Sequence, residues 1–279
     1  MLLISILITS ILEQQKLLIK TRTFFNIKLL QYVRLFISRN FTNQREIRYA
    51  YLMACTPVVL VLILLHLILA RYIFIYFLFK LIIFILCVQV LTWKEEAKST
   101  NLNNKSFAFI HTYATRFFVP LFWFLVLPSG IGVGCYLIIM SISAELKNKG
   151  IDLVVYNVVV DKMLFYANVI PYCILYIFIA IAGDFENVSH YIVGQRKNFT
   201  KSFYFLDDML NDSILIAVDK DRYQANSDEL DNADAGQIKL DAFTPQMTTY
   251  IIAVLYRAGL FFIGIIALMA IGHLIGLIS

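Results

Sequence analysis

Glu13, Arg116, Asp161 and Asn168 are the residues whose chemistry stands out, because each lies in or beside a long apolar run. Charged and amide groups are expensive at membrane depth, so such positions are functional-site hypotheses by default. Arg116 carries a planar guanidinium suited to gripping a phosphate or carboxylate. Asp161 is an opposite charge that would pair well with it in a bundle interior, but parity of the spans puts Arg116 inside and Asp161 outside, so the two meet only if one span is re-entrant. The other polar intruders have simpler readings. Lys80 and Arg257 can snorkel along their stems to an interface, and His66, near the end of its run, can hydrogen-bond a neighbour. His273 is the remaining ionisable group at such depth.

No complete catalytic or cofactor motif accompanies these residues. Walker A, Gly-x-Ser-x-Gly and His-Glu-x-x-His sequences are all absent. Gly130, Gly132 and Gly134 resemble a nucleotide loop, but Cys135 stands where the third glycine belongs and no strand precedes them, so close helix packing is the expectation. Gly272 and Gly276 form a small-residue face that permits a helix–helix partner. Cys55, Cys87, Cys135 and Cys173 all fall in apolar runs without a Cys-x-x-Cys pair and read as inert thiols. Asp207, Asp208 and Asp212, and further on Asp228, Glu229, Asp231 and Asp234, lack the order and the glycine of a calcium loop. The expectation is therefore no metal and no cofactor.

The elements that must position these groups are membrane helices. From Leu52 to Trp93 the chain runs 42 residues with two formal charges, Arg71 and Lys80. One straight helix of that length would measure roughly 63 Å, about twice a bilayer's hydrocarbon core, so two helices with a turn at Arg71 are expected. The 279 residues are 60% hydrophobic and 15% charged, with mean hydropathy +0.74, against about a quarter charged for soluble domains. Five or six spans follow, near 2–18, 52–70, 72–92, 117–140, 163–182 and 250–278. The fold expected is an all-α, polytopic transmembrane bundle at 1–183, an acidic loop region at 184–246 and a C-terminal transmembrane helix at 247–279.

Between Glu13 and Tyr51 the chain holds Lys16, Lys20, Arg22, Lys28, Arg34, Arg39, Arg45 and Arg48 against Glu13 and Glu46. This is a cytoplasmic signal. The apolar residues interleaved from Phe24 to Ile37 make an amphipathic arm, 19–50, suited to the inner leaflet or to packing on the bundle. Parity then places 141–162 outside and 184–246 inside. The segment 184–241 carries twelve acids and six basic residues and reads as a solvated loop, with short helices possible at 199–206 and 213–218. The net charge of +5 is a topology signal. No basic stripe on a soluble module suggests nucleic acid.

The stretch Arg116-Phe-Phe-Val-Pro-Leu-Phe-Trp123 with its following glycines, Asp161 ten residues before Pro171, and Gly183-Asp184-Phe185 closing that span resemble the AmpE family of bacterial inner-membrane proteins. The order of N-terminal helix, basic arm, paired spans and final span is similar too. The resemblance implies a multi-pass inner-membrane protein in the signalling that links cell-wall recycling to β-lactamase induction. It also implies distant kinship to the CobD/CbiB ligases of cobalamin synthesis. Asn168, where relatives often carry an acid, and Cys173, where they often carry an arginine, depart from that chemistry. Pro120, Pro171 and Gly183 are then kink and packing positions.

Three functions are thus open: a non-enzymatic regulator of the AmpE type, a membrane ligase using Glu13, Arg116, Asp161 and Asn168 on an amphiphilic or phosphate-bearing substrate, and a small-solute transporter. The lack of a catalytic set favours the first. Convergence of the four residues on one cavity would favour the second.

Overall fold

The structure, a computed structural model, describes residues 2–37, 44–92, 105–127, 130–148, 153–195, 202–226 and 245–278. No strand occurs among the described residues. The chain divides into two units, one of residues 1–93 with 114–171, the other of residues 94–113 with 172–279. Among the described residues, four helical stretches are long and apolar enough to cross a membrane: Arg45–Leu69, Phe109–Val126, Val158–Ala182 and Thr248–Met269.

In the first unit, α1 (Leu2–Gln14) is built inside out. Ser5, Thr9 and Glu13, spaced four apart on one face, are buried, whereas Leu3, Ile4, Leu7 and Ile11 are exposed. In water that arrangement would be reversed. The helix does not continue to residue 18 as the sequence suggests. Lys16 takes φ 56°, the left-handed conformation that a residue other than glycine seldom adopts, and the chain turns into α2 (Leu18–Ile37). The arm packs on its own unit. Tyr32 Oη donates to the Ala54 carbonyl at 2.8 Å, and Arg34 Nε and Nη2 both donate to Glu145 Oε1, at 2.9 and 2.8 Å.

The long apolar run folds as expected into α3 (Gln44–Leu69), a turn at Ala70 and Arg71, and α4 (Ile73–Cys87). Only 6% of the apolar window of α3 is buried in the protein, so its remaining surface has lipid as its natural cover. His66 does find a neighbour, with its Nδ1 2.9 Å from Tyr76 Oη, and Lys80 lies 4.4 Å over the Tyr76 ring. The second half is shorter than expected. At 15 residues α4 is about 22 Å long, and residues 88–92 leave the helix.

The sequence reading of one span at 117–140 is corrected. Helix α5 (Lys105–Tyr113) passes through a π-turn (Ala114–Phe118) into α6 (Val119–Val126), and a separate helix α7 runs over Ile131–Asn148. Leu127 is extended, as the residue before a proline tends to be. Gly130 takes φ +74°, and a Cβ there would lie 2.6 Å from Ile83 Cγ2. The glycines do serve packing: a Cβ at Gly134 would lie 3.2 Å from Leu62 Cδ1 of α3. All four cysteines are free. Helix α8 (Leu153–Ala182) carries Asp161, Asn168 and Pro171.

In the second unit, α9 (Phe185–Gly194) and α10 (Phe203–Asn226) occupy much of the stretch read from its acids as solvated loop. Asp184 caps α9, accepting from the Asn187 backbone N–H at 3.4 Å. Leu206, Met209, Leu210 and Ile214 share one buried face of α10, so this segment is packed helix. Residues 227–244, which include Asp228, Glu229, Asp231 and Asp234, lie outside the described residues. The final helix, α11 (Pro245–Ile278), packs Phe262 on Phe178, ring centroids 5.5 Å apart.

Candidate functional site

Two polar centres are built, one in each unit. The first joins Glu13 to Arg22. Because the chain reverses at Lys16, Arg22 comes back alongside the end of α1, and its Nη1 lies 2.6 Å from Glu13 Oε1. Both residues are about 95% buried. The remaining donors of Arg22 satisfy the end of α4: Nε donates to the Ile85 carbonyl at 2.8 Å, Nη2 to the Val88 carbonyl at 2.6 Å, and Nη1 to Thr92 Oγ1 at 2.9 Å. A basic side chain on the last carbonyls of a helix is favourable in both hydrogen bonding and dipole.

Glu13 is equally committed. Its carboxylate accepts from three consecutive backbone N–H groups, those of Val90 (3.0 Å), Leu91 and Thr92 (3.0 Å). Successive N–H groups turned inward form an anion-binding nest, and here the anion belongs to the protein itself. This explains why α4 stops at Cys87: residues 88–92 must curl to present these groups. Arg22, counted in the sequence as one more cytoplasmic cation, is withdrawn into the core.

Arg116 and Asp161 are half-buried, in the π-turn and on α8. The backbone of Arg116 borders the Glu13 centre. Pro120 removes the N–H that would bond the Arg116 carbonyl four residues earlier, and the Gln89 N–H donates to that carbonyl at 3.0 Å, next to Val90 in the Glu13 cradle. Pro171 creates the same vacancy at Ala167, which the Trp123 indole N–H fills at 2.8 Å. Neighbouring elements thus re-satisfy both carbonyls, as membrane interiors require. Asn168 is fully buried. Its Nδ2 donates to the Leu164 carbonyl at 2.7 Å, and its Oδ1 has no hydrogen-bond partner among the described residues. Glu13 and Asn168 are therefore closed off. Gly183 packs so closely on α10 that a Cβ there would lie 2.5 Å from Ala217 Cβ.

The second centre was not found from sequence. In the second unit, His111 Nδ1 lies 3.1 Å from both carboxylate oxygens of Asp207, and Tyr172 Oη donates to Asp207 Oδ1 at 3.2 Å. Next to it, Tyr191 Oη donates to Asp212 Oδ2 at 2.6 Å. Burial, then the charges of Asp207 and Asp212, push the Asp208 carboxyl above the usual aspartate range. Burial and the bond to Asp212 likewise raise the Tyr191 phenol. No local signal could reveal the pair, since His111 and Asp207 are 96 residues apart. No group of three or more His, Cys, Asp or Glu able to hold a metal occurs among the described residues. No protein-family model, curated protein or solved structure matches the chain.

Proposed function

We propose that the chain is a multi-pass protein of a bacterial inner membrane acting as a non-enzymatic signalling component of the AmpE type, in the response that couples cell-wall recycling to β-lactamase induction. The observation that supports it most is the fate of Glu13. One of the two acids among the four residues an embedded ligase would use is buried and saturated by Arg22 and three backbone N–H groups, so it serves architecture. The prolines of the motif stretches are served in the same way. In this reading the exposed basic residues of the arm, such as Lys20 and Lys28, attract anionic lipid of the inner leaflet. Deleting the gene and measuring β-lactamase induction together with muropeptide pools tests the proposal. Altered induction is expected, and unchanged induction with unchanged pools would sink it.

A second reading, a membrane-embedded enzyme, is favoured by the His111–Asp207 contact. A carboxylate on Nδ1 fixes the imidazole tautomer and orients the ring, the arrangement of a general base. An H111Q variant that supports the full wild-type phenotype would remove that reading.

A further inference from the structure

The last helix carries a charge that nothing above uses. Arg257 is exposed on α11 and makes no ion pair or hydrogen bond among the described residues. It stands nine residues into the apolar stretch Thr248–Met269, about 14 Å along the axis, where an uncompensated cation is costly. Snorkelling takes its side chain toward the N-terminal end of the helix, because side chains tilt that way. On that side lies a polar cavity of about 150 Å³, lined by Gly183, Asp184, Ala217, Tyr250, Val254 and Arg257. On the other side an open, almost wholly apolar groove of about 580 Å³ runs from Arg257 past Leu260, Phe261 and Gly264 to Leu268.

The two cavities are one stripe. Tyr250, Val254, Arg257, Phe261, Gly264 and Leu268 recur at three- and four-residue steps, the spacing of a single helix face. The groove is open beside Gly264, where a Cβ would meet nothing within 4 Å. Asp184, the acid in the polar cavity, has its carboxylate turned into its own helix cap, where Oδ2 accepts from Asn187 Nδ2 at 2.7 Å. The polar end of the stripe, at Tyr250, lies at the start of the stretch Thr248–Met269, and the apolar part runs from its middle, at Arg257, to Leu268 near its end. That is the order of headgroup and acyl chain in a lipid.

We propose that this face is a binding site for an anionic glycerophospholipid, with the phosphate held by the Arg257 guanidinium in the Tyr250 cavity and one acyl chain lying along Leu260, Phe261, Gly264 and Leu268. The site is independent of the signalling role proposed above. The guanidinium suits a phosphate through paired, charge-assisted donors, and the groove accounts for a chain, which free phosphate lacks.

The test is titration of the delipidated full-length protein, in detergent, with dioleoyl phosphatidylglycerol, counting bound lipids by native mass spectrometry. One tightly bound lipid is expected for the wild type. R257Q should weaken it about tenfold, the loss of a charge-assisted contact, and R257K should retain part of it. G264L keeps the cation but fills the groove and should weaken binding comparably, which also provides a readout if R257Q fails to fold. Excess inorganic phosphate should not displace the lipid. Wild-type binding in both R257Q and G264L would overturn the site. Loss in R257Q alone, or displacement by phosphate, would overturn the acyl groove and leave only an anion site.

Discussion

Glu13 and Arg22 illustrate how a buried ion pair can be required without being a source of net stability. Two charges taken out of water repay their desolvation only if every donor and acceptor is used, and here the nest at 90–92 and the carbonyls of Ile85 and Val88 complete the set. Removing one member leaves the other charged and unpaired. E13Q should therefore destabilise the protein by about 3–5 kcal/mol, read as a lowered thermal midpoint in detergent, and E13Q combined with R22M should recover part of the loss. Asp208 predicts the opposite sign. Its carboxyl is raised in the folded protein, so ionised Asp208 disfavours folding at neutral pH, and the folded state gains only when the group is protonated. D208N should raise the midpoint at pH 7. The gain should shrink as pH falls through the raised pKa and vanish below the unfolded value of about 3.9.

At the scale of elements, two prolines break helical hydrogen bonds and two partners mend them. The Ala167 carbonyl, deprived of its donor by Pro171, takes the Trp123 indole N–H. W123F should cost about 1–3 kcal/mol, the penalty for a buried acceptor left unmade. In a P171A background, where residue 171 regains its N–H, the same substitution should cost much less, and the two pairs of thermal midpoints give the coupling directly. The need for a donor was legible in the sequence, since a proline within a span demands one. Its identity was not, because Trp123 and Ala167 lie 44 residues apart and meet only through packing. The hairpin turn at Arg71 was legible for the complementary reason: length and hydropathy are local quantities. Helix α10 was misread because its acids drew attention from the spacing of Leu206, Met209, Leu210 and Ile214, which already marked a buried face. The early end of α4 was hidden, since it depends on Glu13 some 75 residues earlier.

At the scale of the molecule, the chain keeps polar groups inside and apolar groups outside in several helices. Thr9 is 0% exposed while Leu7 is 62% exposed on the same helix, and Leu60, Ile170 and Leu260 are 55%, 53% and 66% exposed on three of the spanning stretches. Surfaces of this kind aggregate in water and are at rest in lipid. The candidate site was the least legible part. Its first centre involves an arginine indistinguishable in sequence from the six other basic residues of the arm, and its second rests on a contact between distant segments. The most direct test of the whole account is aqueous maleimide labelling of L60C, I170C and L260C, each made singly in a cysteine-free background and treated in intact membranes. The account predicts that all three resist the reagent there and react readily once the membrane is dissolved in denaturing detergent. Rapid labelling of these exposed positions in intact membranes would contradict it.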